Sequence, residues 1–137
     1  MSKAIIISGN LAQDHEFIYP YYRLLEEGFE IDVCLLEGKP VQGILGTKIP
    51  PNKDQPVKKI EDVLVDDYKV LVLPGGVKAM EKVRQEKKII SFISEFNKKE
   101  KVIACICSGA QLLISAKVVK GRKIAGYYSM KDDLINA

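Results

Sequence analysis

Four short apolar runs, "KAIIIS" (3 to 8), "EIDVCLLE" (30 to 37), "YKVLVLP" (68 to 74) and "KVIACIC" (101 to 107), are spaced along the chain with helical patterns between them. Runs this short, dense in Ile, Val and Leu, fit strands buried on both faces. The first intervening helix reads from Asp14 to Glu27. Asp14 suits its N-cap, Phe17, Tyr21, Leu24 and Leu25 form one apolar stripe, and Gly28 ends it. A second runs from Glu86 to Lys99, with Ile89, Ile90, Ile93 and Phe96 turned inward and Lys98, Lys99 and Lys101 at its basic end. Strand, helix, strand, repeated, requires crossovers. The chain is therefore expected to fold as an α/β protein with a mostly parallel sheet and helices on both faces.

Residues 38 to 59, "GKPVQGILGTKIPPNKDQPVKK", break this rhythm and read as an irregular excursion with one small hairpin. With 137 residues, 47% of them hydrophobic and no shift in composition, residues 1 to 137 read as one domain. The net charge of +3 comes from Lys and Arg scattered over the whole length, which argues against a nucleic-acid partner. No apolar run approaches a membrane span, and the start "MSKAIIIS" is too short and too soon polar for a signal peptide, so a cytoplasmic protein is expected. An odd cysteine count (Cys34, Cys105, Cys107) predicts reduced thiols rather than a disulfide framework. With a single His and no second Cys pair, no metal and no cofactor are expected.

Cys107 lies where the fourth strand gives way to an apolar helix, inside "CICSG". That is the pattern of a nucleophile elbow with Cys in place of Ser, and small residues nearby let the backbones pass closely. A side chain there faces the N-terminus of the next helix, whose free N–H groups favour a thiolate. Thiol acidity alone makes a poor catalyst, because nucleophilicity falls with pKa along a Brønsted slope of about 0.45 and offsets most of the gain in thiolate. An oxyanion site and a proton carrier are also needed. Gly75 and Gly76 in "LVLPGG" and the N–H of Ser108 are the candidates for the first. Glu16, in the first turn of the helix after "AIIIS", is the candidate for the second, because a carboxyl beside a thiolate can hold a proton and donate it. Taken singly, each signal has a plainer reading: a core cysteine, an ordinary turn, a helix-dipole carboxylate. Cys34 and Cys105 are assigned to the core and His15 to the surface. Strand ends of a parallel sheet bring the other signals to one edge.

Together these residues resemble the ThiJ/PfpI superfamily, which contains archaeal intracellular peptidases and the parkinsonism-associated deglycase. "DHEFIYPYYRLLEEGFEIDV" is similar to the first helix of its PfpI branch, "VLVLPGG" to its oxyanion strand, "IACICSGAQLLISA" to its elbow, and "KGRKIAGYYSMKDDLINA" to the segment that follows. The resemblance implies a flavodoxin-like three-layer sandwich, Cys107 as nucleophile, Glu16 as its carboxyl partner, and Gly75, Gly76 and Ser108 around the oxyanion. It also implies an aromatic hydroxyl near the pocket at Tyr127. Two departures stand out. Ser108 occupies the place of the histidine that follows the nucleophile in PfpI-type peptidases. The family normally continues past "INA", so the fold is expected to be C-terminally shortened, with exposed core or strand edge leading either to self-association as a dimer or larger homo-oligomer or to the reading that the chain is shortened from its natural form. The implied activity is a cysteine-dependent attack on a small reactive carbonyl, of glyoxalase or deglycase type, in stress protection. The rival readings are a peptidase or amide hydrolase acting on peptides, and a non-catalytic redox-sensing or chaperone-like stress protein.

Overall fold

The structure, a computed structural model, describes residues Met1–Ala137. Its main sheet is formed by β1 (Lys3–Ser8), β2 (Glu30–Leu35), β5 (Val57–Lys58), β6 (Val70–Leu73) and β7 (Val102–Cys105) in the order β5-β2-β1-β6-β7. Every neighbouring pair in it is parallel. The helices are α1 (Asp14–Glu26), α2 (Val77–Val83), α3 (Lys87–Lys98), α4 (Ala110–Ser115) and α5 (Lys131–Asn136). The crossover through α1 steps outward from β1 to β2, and the one through α2 and α3 steps the other way, from β6 to β7. Right-handed crossovers running in opposite directions put their helices on opposite faces, which gives the three-layer, flavodoxin-like sandwich. The direction reverses between β1 and β6, so the crevice for a ligand opens at the carboxyl ends of those two strands.

Central β1 is closed on both faces, with Ile5, Ile6 and Ile7 fully buried. Edge strand β7 departs from the expectation of double burial: Val102 is 61% exposed and Ala104 is also open, while Ile103 and Cys105 are half-buried. Nothing pairs with its outer side.

The helices follow their apolar spacing with two corrections. On α3 the inward stripe is Ile89, Phe92, Ile93 and Phe96, a run of i, i+3, i+4 and i+7; Ile90, one residue out of phase, is only half-buried. On α1 Phe17 and Tyr21 are buried and Leu24 packs against the core, whereas Leu25 turns outward at 40% exposure. Asp14 is not the N-cap of α1. It is the first helical residue, behind an extended Gln13, and its side chain turns away from the helix.

The excursion contains the hairpin β3 (Val41–Gln42) and β4 (Lys48–Ile49). The buried carboxylate of Asp14 holds its turn, accepting N–H groups of Leu45 at 2.8 Å and Thr47 at 3.0 Å. Burial alone pushes this carboxyl up, but the Leu45 and Thr47 donors outweigh it and hold the pKa below the ordinary value. The excursion's last residues do more than expected, because β5 joins the main sheet beside β2. Its Lys58 donates to Asp32 at 2.8 Å, and the Tyr68 hydroxyl donates to the same oxygen at 2.7 Å. No helix is long and apolar enough to cross a membrane.

Candidate active site

Cys107 occupies the corner after β7 with φ +54°, a left-handed backbone that a non-glycine residue rarely adopts. A single 3-10 turn, Cys107–Gly109, leads from it into α4. The corner is held from both sides: Ile106 N–H donates to Leu73 O at 3.1 Å, and Tyr127 N–H donates to Cys107 O at 3.2 Å. Gly109 has to be small, since a Cβ there would overlap the carbonyl oxygen of Leu73. The turn thus presents a half-buried thiol at the start of a helix, with Ser108 among the first N–H groups that lack an intrahelical acceptor.

Gly75, just past β6, brings the parts together. A Cβ on Gly75 would overlap Glu16 Oε1 and would lie 2.9 Å from Ser108 N and 3.0 Å from Cys107 Cβ. A carboxylate from α1, the turn after β6 and the elbow after β7 therefore converge on one point. Gly75 N–H donates to Glu16 Oε1 at 2.8 Å. That bond commits the Gly75 donor to aiming the carboxylate, and leaves the Ser108 N–H as the donor beside the thiol. Gly76, at φ +102°, is wedged against the loop after β1, where a Cβ would lie 2.6 Å from Gln13 N. Gln13 N–H in turn donates to Gly75 O at 3.1 Å, which fixes the same loop that carries Glu16 into place.

Ser108 is buried, with its hydroxyl 3.8 Å from the Cys107 sulfur. Tyr127 sits beside the elbow through its backbone bond, and its ring lies 4.6 Å from that of the more exposed Tyr128. His15 is exposed, as expected of a surface residue. Burial pushes the thiols of Cys34 and Cys105 up to about 12, so both are inert at neutral pH.

One contributor left no trace in the sequence reading. Arg84, at the end of α2, donates to Ser115 Oγ at 2.9 Å and to Gln111 Oε1 at 3.3 Å. It straps α2 to α4, the two helices whose starts flank the site. No local pattern marks such a pairing across 31 residues.

The fold and the site define a doubly wound α/β protein with a cysteine on the strand-to-helix corner and a carboxylate facing it across the topological switch. The chain belongs to the DJ-1/PfpI family, which its residues 2–137 match. It is 38% identical over 135 residues to deglycase PfpI of Pyrococcus furiosus, covering 98% of this chain and 78% of that protein. General stress protein 18 of Bacillus subtilis is 35% identical over 126 residues, covering 91% of this chain and 70% of that one. Among solved structures, Drosophila melanogaster DJ-1beta superposes with a TM-score of 0.87 at 28% identity, covering 99% of this chain and 72% of that chain.

Proposed function

We propose that this protein is a cysteine-dependent enzyme of the DJ-1/PfpI family that acts on small reactive carbonyls, the chemistry suggested by its relatives named deglycases. The observation that carries the reading is the meeting of Glu16, Cys107 and Ser108 N–H around Gly75. The Cys107 thiolate adds to the aldehyde carbon of a 2-oxoaldehyde, and the carbonyl oxygen, held by the Ser108 N–H, takes up a proton to give a hemithioacetal. Glu16 removes the hydrogen from that carbon to give an enediol and returns a proton to the adjacent carbon. The product is a hydroxyacyl thioester on Cys107. Water then cleaves it, releasing the hydroxy acid and the thiol, so one carbonyl compound and one water give one hydroxy acid with no outside oxidant.

No histidine is needed for this sequence of steps, which suits a site where Ser108 follows the nucleophile. Expelling an amine from a peptide would call for a strong general acid next to the sulfur. The test is the rate of methylglyoxal loss and lactate formation by the intact protein and by Cys107→Ser. Turnover that vanishes with the thiol supports the reading; a Cys107→Ser protein with full activity, or an intact protein with none, overturns it.

A further inference from the structure

Away from the thiol, the carboxyl ends of β1 and β2 and the β3–β4 hairpin enclose a polar cleft of about 640 Å³. A volume of that order holds a small metabolite. Lys39, Lys48, Lys53 and Lys82 line it, against a single carboxylate, Glu37. Other lysines of the chain, Lys3, Lys58, Lys88 and Lys99, sit against carboxylates, whereas none of these four does. Four unpaired ammonium groups around one concavity favour an anion, and an ammonium is a good point charge for phosphate.

The Glu37 end adds a second requirement. Its Oε1 accepts Asn10 N–H at 2.9 Å, while Oε2 is buried and has no hydrogen-bond partner. The terminal torsion of a glutamate is soft, and a ligand hydroxyl reaching this end of the cleft would supply the donor that Oε2 lacks. Its place just past β2 of a doubly wound sheet is where an acidic side chain takes sugar hydroxyls in nucleotide-binding folds. Apart from two prolines, Val41 is the only apolar residue of the lining, so no platform exists for a stacked base. The walls are fixed in advance, since Leu11 N–H donates to Gln42 O at 2.8 Å and Gln42 N–H to Asn10 Oδ1 at 3.3 Å.

We infer that this cleft is a binding site for a sugar phosphate, with the lysines holding the phosphate and Glu37 a sugar hydroxyl. The site is separate from Cys107 and does not depend on the activity proposed above. The test is a titration of the protein in phosphate-free buffer, followed by the amide resonances of Asn10, Glu37, Gly38, Lys39, Val41 and Gln42, with ribose 5-phosphate, inorganic phosphate and AMP as probes. Ribose 5-phosphate should bind at least about tenfold more tightly than inorganic phosphate, and AMP no more tightly than ribose 5-phosphate. The double variant Lys48→Ala/Lys53→Ala should weaken ribose 5-phosphate by about tenfold or more. Glu37→Gln, which keeps an acceptor for Asn10 N–H, should weaken ribose 5-phosphate by several-fold and leave phosphate binding no weaker. Both variants have their folding read from the same spectra. Absent binding, equal affinity for phosphate and ribose 5-phosphate, indifference to either variant, or a clear preference for AMP would each overturn the assignment.

Discussion

Glu16 accepts the N–H of Gly75 through one carboxylate oxygen, Oε1, at 2.8 Å. The bond separates two tasks within one side chain. Oε1 is tied to the backbone and sets the direction of the group; in the mechanism proposed above, Oε2 is the oxygen that carries the proton.

Substituting Glu16→Gln tests that division. The carboxamide oxygen still accepts the Gly75 N–H, so the melting temperature should change by less than about 3 °C. Methylglyoxal turnover should fall by roughly 10²- to 10⁴-fold, because an amide cannot relay a proton. Glu16→Ala should lose both the activity and some stability. Steady-state kinetics with a thermal melt on each variant checks both halves.

Gly75→Ala should damage the site from its centre. The new methyl group meets Glu16, Cys107 and the Ser108 backbone at once. Expected are loss of most activity and a destabilisation of about 1–3 kcal/mol in urea unfolding. Gly28→Ala is the control: Gly28 has φ +83° but open space around it, so that variant should show a backbone cost of about 1 kcal/mol with turnover intact.

Asp14 should make the hairpin acid-sensitive. Its folded pKa lies below the ordinary carboxylate value of 3.8, so in that range the unfolded chain binds more protons and stability falls with pH. The contribution is whole above about pH 5 and drains away as pH drops through the folded pKa. Asp14→Asn can no longer accept both N–H groups as an anion, and should cost about 1–3 kcal/mol at neutral pH while flattening part of the acid slope. Urea midpoints measured from neutral pH down to about pH 3 would show this, with Asp32 supplying a remaining slope of the same sign.

Alkylation should single out one cysteine. Thiols held at about 12 are ionised at pH 8 to roughly one part in ten thousand, which leaves Cys34 and Cys105 almost unreactive in the folded state. Peptide mapping after a short exposure to iodoacetamide should find the label on Cys107, and on all three only after unfolding.

The strands and the elbow were legible in the sequence because their signals are local: runs of Ile and Val, paired glycines after β6, a cysteine followed by small residues. The same holds for α1 and α3, whose stripes repeat at helical spacing. What escaped depends on partners far along the chain. Two residues, Val57 and Lys58, carry no strand pattern by themselves and become β5 through Asp32 and the open side of β2. Asp14 looked like a cap because its type and position suit one, and only the hairpin 31 residues away shows where its carboxylate goes. The commitment of the Gly75 N–H to Glu16 was equally invisible, since the motif marks an approachable backbone without saying what approaches it. Leu25 and Ile90 were misplaced by a single step of the helix, where one residue turns the side chain by about 100°.

The contact between Glu16 and Gly75 spans 59 residues of chain, and the thiol lies further along still. During synthesis the carboxylate leaves the ribosome well before its backbone partner, and both leave before Cys107. An unfinished chain holding only β1, α1 and β2 already carries Glu16 but lacks both Gly75 and Cys107. On the function proposed above, a nascent molecule would be without its chemistry until β7 pairs with β6 and brings Cys107 against Gly75 and Glu16.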